Sequence, residues 1–245
     1  MPIRKAVVGD AAAEAQAIQM LAVALAESAN WFASASPQTV DSRALSLLCR
    51  SASHSVSLAT LNAPDPPLEV LALAARNCLE LLVRLKHVLT SKANMMAWLR
   101  EGVTDKLQVY EGVLSLDRDG AASATIREEM QRVSADMASK GLATGQSVAK
   151  TAALANAVGM GEEYKAFFKI YSKLVHPTSY AVNSATSSQT AGWVRTTFVL
   201  NVQLYGLLFL DELAAGAGLP ASSLFDAAER KYRQLLHAKP RRAVP

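Results

Sequence analysis

The sequence predicts an all-α protein, a multi-helix bundle of about seven to nine helices, and three observations carry that reading. Alanine and leucine dominate the composition, while Gly (12), Pro (9) and aromatic residues (6%) are sparse, a balance that suits helices better than sheets. Apolar residues recur at spacings of three and four through long runs, most clearly at Leu68, Leu71, Ala75, Cys78, Leu82, Leu85 and Leu89. Caps and breakers separate those runs. The clearest break is NAPDPP, where prolines deny the backbone its donors and push preceding residues into extended geometry.

Asp10 is placed to cap a first long helix, DAAAEAQAIQMLAVALAESANWFASAS, that stops around Ser36 and Pro37. A second helix runs from about Val40 to Leu61. The helix from Leu68 is apolar around nearly its whole circumference, which predicts a central, buried position. Another runs from about Lys92 to Gly112, followed by the turn LDRDGAAS and the charged helix TIREEMQRVSADMASKGLA. In that helix Glu128 and Arg132 stand four apart, as on a solvated face, and Gly141 and Gly145 interrupt its end. The small-residue segment SVAKTAALANAVGM ends at Gly159, and a helix starting near Gly161 carries YKAFFKIYSKLVH up to Pro177. The polar run PTSYAVNSATSSQT is too long for a simple turn and reads as either an active loop or a disordered one.

The helix from about Ala191 to Ala217 holds TTFVLNVQLYGLLFL. A membrane span needs about 20 mostly apolar residues, and Asn201 and Gln203 interrupt this run, so it reads as a buried core helix. A short helix near Ser222 leads into the tail. The domain organisation expected is a helical pair over 1–62 packed on the body, a main bundle over 67–238 and a basic, disordered tail over 239–245.

The N-terminal MPIRKAVVGDAAAEAQ lacks the apolar run and cleavage site of a secretory signal, so a cytoplasmic protein with no membrane association is expected. The formal charge of +4 is concentrated near the C-terminus, where Arg230, Lys231, Arg233, Lys239, Arg241 and Arg242 outnumber Asp226 and Glu229. The body is near neutral. Cys49 and Cys78 sit inside helical patterns without ligand spacing and read as buried reduced thiols. With no Gly-rich phosphate loop, GxSxG or HExxH, neither a cofactor nor a metal is expected. His54, amid Ser and Ala in CRSASH, reads as structural.

Two polar stripes remain. Arg76, Glu80, Val83 and His87 are spaced by four, three and four and share one face of the central helix. Arg76 and Glu80 are either an ion pair stapling the bundle or a pocket in which the guanidinium binds an anion, oriented by Glu80. Lys165, Lys169, Ser172 and His176 repeat the spacing, with Tyr164, Phe167, Phe168 and Tyr171 turned the other way, into the core. Pro177 disfavours helical geometry at His176, which is therefore a helix cap or a proton-transferring group at a helix end. If the stripes match, His176 lies within about 6 Å of Arg76 or Glu80, close enough for electrostatic coupling.

The segments RNCLELLVRLKHVL and GMGEEYKAFFKIYSKLVHPTSYAV resemble the paired signatures of a bacterial family known as a domain of unknown function, number 5677: an Arg-x-x-x-Glu helix and a Tyr-x-x-x-Ser-x-x-x-His-Pro-Ser type segment. The likeness covers 68–183, about half the chain. The second segment is also similar to the Arg-Asn-x-x-x-His motif of the HEPN ribonucleases, with His176 matching, Ser172 where a polar residue is usual, and Tyr171 in place of the arginine. This resemblance implies a HEPN-like core and a homodimer of bacterial stress or phage-defence type. It also implies metal-independent cleavage of RNA, in which a 2′-hydroxyl attacks the adjacent phosphate, histidine moves protons and a cation steadies the charge. On this reading the catalytic set is His176, Arg76, Glu80, Ser172 and Tyr171, with Lys165, Lys169 and Lys173 binding RNA or another anion. Arg76, or Lys169 with Lys173, replaces the missing arginine. The alternative is a non-catalytic interaction or anion-binding module whose Arg, Glu and His residues form a buried polar core.

Overall fold

Asp10 caps the first helix as its position predicts, its carboxylate accepting from the N–H groups of Ala12 (2.9 Å) and Ala13 (3.3 Å). The computed structural model describes residues 6–61, 66–116, 120, 123–139, 149–176, 188–220, 222–224, 226 and 230. Expectations for Gly141, Gly145, the polar run at 177–187 and the tail at 239–245 lie outside those residues. The described residues form an all-helical protein: α1 (Ala11–Ala33), α2 (Val40–Leu58), α3 (Leu68–Thr90), α4 (Lys92–Leu116), α5 (Ser123–Ser139), α6 (Thr151–Ala157), α7 (Gly161–Val175) and α8 (Ser188–Ala217). A helical turn follows at 222–224.

The chain divides into two compact units, one of residues 1–86 and 151–245, the other of residues 87–150. The second unit falls within the stretch expected to be a single main bundle. In the first unit, α1 and α2 pack closely together, and both touch α8. Small residues make the α1–α2 approach possible, and two buried serines fix it. Ser46 Oγ donates to the Ala29 carbonyl and Ser53 Oγ to the Ala22 carbonyl, both at 2.8 Å. The donors are seven residues apart on α2 and the acceptors seven apart on α1, running the opposite way, so the two bonds set an antiparallel register. A capping box between Thr39 and Ser42 starts α2.

The central position predicted for α3 is observed. Leu71, Ala75, Leu79, Leu82, Val83 and Leu85 are fully buried, and between Val70 and Leu89 no residue is fully exposed. α8, although long and apolar enough to cross a membrane by length and composition, turns Phe198, Val202, Tyr205, Phe209 and Leu213 into the core. Its polar interruptions are satisfied internally. The Gln203 amide both accepts from the Val7 N–H and donates to the Val7 carbonyl, each at 2.8 Å, holding the N-terminal segment on the helix. Lys86 on α3 pairs with Glu212 on α8.

α6 turns into α7 through a glycine C-cap. Met160 N–H bonds the Ala155 carbonyl (2.8 Å) and Gly159 N–H the Asn156 carbonyl (3.2 Å), a closure that needs the positive φ of 74° at Gly159. α7 therefore starts at Gly161, directly after the turn. In the second unit α4 and α5 pair as a hairpin, tied by Lys106 to Glu129 (3.1 Å), whose carboxylate is also held within α5 by Arg132 (2.6 Å).

Candidate functional site: the polar interior of α3, α7 and α8

Spacing predicts that α7 buries its aromatic face, and it does: Tyr164 and Tyr171 are buried, Phe167 and Phe168 half-buried. Tyr164 stacks on Phe168 with ring centroids 5.1 Å apart, and Phe167 on Tyr171 at 6.0 Å. Against this face lies Arg76 of α3, its guanidinium 4.6 Å from the Phe168 ring centroid. Arg76 Nε donates to Glu80 Oε1 at 2.9 Å, as the i,i+4 spacing predicts. The two side chains are 23% and 26% exposed, so this is a half-buried pair and not a deeply buried one.

The matching of stripes comes out differently from the expectation. Arg76 sits over Phe168, and the Glu80 carboxylate acts on the Tyr164 hydroxyl, so α3 advances as α7 recedes. His176 is eight residues beyond Phe168, which at 1.5 Å per residue places it roughly 12 Å further along α7. Phe168 also leans back toward the start of its helix, away from His176. The expected approach of His176 to within 6 Å of the Arg76–Glu80 pair is therefore corrected. His176 is exposed at the C-cap, with extended backbone (φ −98°, ψ 146°) and its N–H 3.4 Å from the Ser172 carbonyl. What α3 and α7 match is an arginine to an aromatic face, because a flat cation loses less hydration on a ring than an ammonium would.

The remaining expected residues separate into two groups. Ser172 is half-buried and donates to the Lys169 carbonyl at 3.2 Å. Lys165, Lys169 and Lys173 are exposed, on the same side of α7 as His176. Tyr171 faces inward, where Asn201 Nδ2 donates to its hydroxyl at 2.6 Å. Tyr205 donates to Glu163 Oε1 at 3.0 Å, and the Tyr171 and Tyr205 hydroxyls are themselves hydrogen-bond partners. The result is a chain from Asn201 through Tyr171 and Tyr205 to Glu163. Burial raises both phenols above the ordinary tyrosine range, and the hydrogen bond from Asn201 opposes this at Tyr171. Tyr164 is raised by burial first and by Glu80 second.

Asn201, Tyr205 and Glu163 were missed as partners by sequence reasoning. A signal existed: Asn201 and Tyr205 stand four apart in the most apolar helix, so their polar atoms share a face and need internal partners. Cys49 and Cys78 are free and buried, and burial pushes both thiols up to about 12. Among the described residues no group of three His, Cys, Asp or Glu side chains is arranged to hold a metal ion. No family model, no curated protein and no solved structure matches this chain.

Proposed function

We propose that the chain is a non-catalytic helical module that binds RNA through its phosphates, using the exposed edge of α7 formed by Lys165, Lys169, Lys173 and His176. The observation that carries this reading is the split of the α7 polar residues into two populations. Tyr171 is sealed inside against Asn201, and Arg76, half-buried, is engaged by Glu80 and Phe168. The lysines and His176 are exposed. Lys165, Lys169 and Lys173 recur every four residues, about 6 Å along the axis, and a cationic line of that kind suits a polyanion backbone.

Titration of labelled single-stranded RNA at several salt concentrations tests the reading. Binding should weaken with salt, and each Lys→Ala change at 165 or 169 should lower the salt slope by about 1. Absence of RNA binding at low salt would remove this function.

One observation favours a second reading, the HEPN-like endoribonuclease of stress or phage-defence type. His176 is accessible at the end of the helix that carries Lys169 and Lys173. Metal-independent RNA cleavage in chelator, abolished by His176→Ala, would replace the binding reading with the catalytic one.

A further inference from the structure

The α4–α5 hairpin leaves one line of α4 uncovered. Gly102, Val109 and Leu116 follow each other at seven-residue spacing, and Val113 lies beside them on the same face. Val109 is 63%, Val113 44% and Leu116 88% exposed. An 88% exposed leucine protrudes, whereas Gly102 at the other end of the line has no side chain and open space where a Cβ would stand. Knob and hole are equidistant from Val109, about 10 Å on either side.

From this arrangement we infer that α4 is the contact surface for a second copy of the chain. The two α4 helices pair antiparallel about a two-fold axis at Val109. That axis sets Leu116 of each copy over Gly102 of the other and brings Val109 against its own counterpart. The surface is self-complementary, as an isologous interface must be. Charge agrees. Residues 87–150 carry eight basic and eight acidic side chains, so the +4 of the whole chain lies outside this unit and two copies meet without net repulsion. A strongly acidic or basic partner finds no complementary charge there. The hairpin also needs further cover, since of its two helices only Met95, Ser123 and Met137 are buried. This inference is independent of the RNA-binding edge on α7.

Light scattering and sedimentation of the full chain test it, alongside single substitutions. The wild-type chain should be a dimer. Leu116→Glu should dissociate it at least tenfold, and so should Gly102→Leu, which fills the hole while improving helix propensity and so does not act by unfolding α4. Val109→Cys should form a disulfide-linked dimer under mild oxidation, faster than Leu204→Cys on α8, with Cys49 and Cys78 silent because they are buried. A wild-type monomer at all concentrations, a dimer indifferent to both Leu116→Glu and Gly102→Leu, or equal cross-linking at 109 and 204 would overturn the proposal.

Discussion

Tyr171 and Arg76, two residues of the expected catalytic set, are each held by partners within the bundle. Asn201 leaves its donor unsatisfied if the Tyr171 hydroxyl is removed, so Tyr171→Phe should cost about 1–3 kcal/mol by urea denaturation. Restoring an apolar match with Asn201→Leu should recover part of that loss. Burial places the folded-state pKa values of Tyr171 and Tyr205 above the ordinary value of 10. Their contribution to stability is therefore complete below pH 10 and is lost as pH rises above it. Melting temperature should begin to fall above about pH 9, where the thiols of Cys49 and Cys78 ionise only in the unfolded chain, and fall further above about pH 10, less steeply there in the Tyr171→Phe/Tyr205→Phe double variant. A tyrosinate absorbance titration in which all six tyrosines ionise together in the folded protein would contradict the assignment. For the Arg76–Glu80 pair, the quarter exposure of each side chain lets water reach both charges, so Glu80→Ala should cost about 1 kcal/mol. The several kcal/mol characteristic of a sealed pair would require deeper burial than is observed.

At the scale of elements, two contacts set the positions of α1, α2 and α8. α8 approaches α1 closely at Gly206, where an added Cβ would lie 2.6 Å from Leu21 Cδ2 and 3.4 Å from Val56 Cγ2. Gly206→Val should push the helices apart and cost about 1–3 kcal/mol, read as a lower denaturation midpoint. α2 is held to α1 by Ser46 and Ser53, and Ser53→Ala should cost about 1 kcal/mol through the carbonyl of Ala22 left without its donor. That site is legible only in part from sequence. Serines in a helical pattern read equally well as solvated, and only packing shows that these two point at a neighbouring backbone. The α4–α5 tie behaves differently. The Lys106 hydrogen bond, with help from Arg132, lowers the Glu129 carboxyl pKa, so the tie is present above the ordinary carboxylate range and is lost as pH falls through the lowered value. Salt should weaken it, because water reaches both side chains, 46% exposed at Lys106 and 24% at Glu129.

For the whole molecule, burial is uneven between the two units. The first concentrates the large buried side chains, including Tyr171, Phe198, Tyr205 and Phe209, while α4 and α5 bury little. Amide exchange should accordingly be slowest in α3 and α8 and fastest in the hairpin. Dimerisation through α4 should slow exchange around Val109 in a concentration-dependent way. Protection of the hairpin equal to that of α3 in dilute protein would contradict the uneven core.

The sequence by itself determined the helical class, the cap at Asp10, the boundary at Pro66 and Pro67, the central place of α3 and the inward face of α7. Each of these depends on local sterics or on hydrophobic period, which act within one element and need no knowledge of its neighbours. Only the tertiary structure decided that Arg76 meets Phe168, about two turns along α7 from His176. It also decided that Tyr171 finds Asn201, that Ser46 and Ser53 bond α1, and that the chain divides at residues 86 and 150. Periodicity fixes which residues share a face, but the axial register between two helices is set by the summed fit of all side chains along the contact. Polar stripes with identical four, three, four spacing on two helices can therefore lie a full two turns out of step.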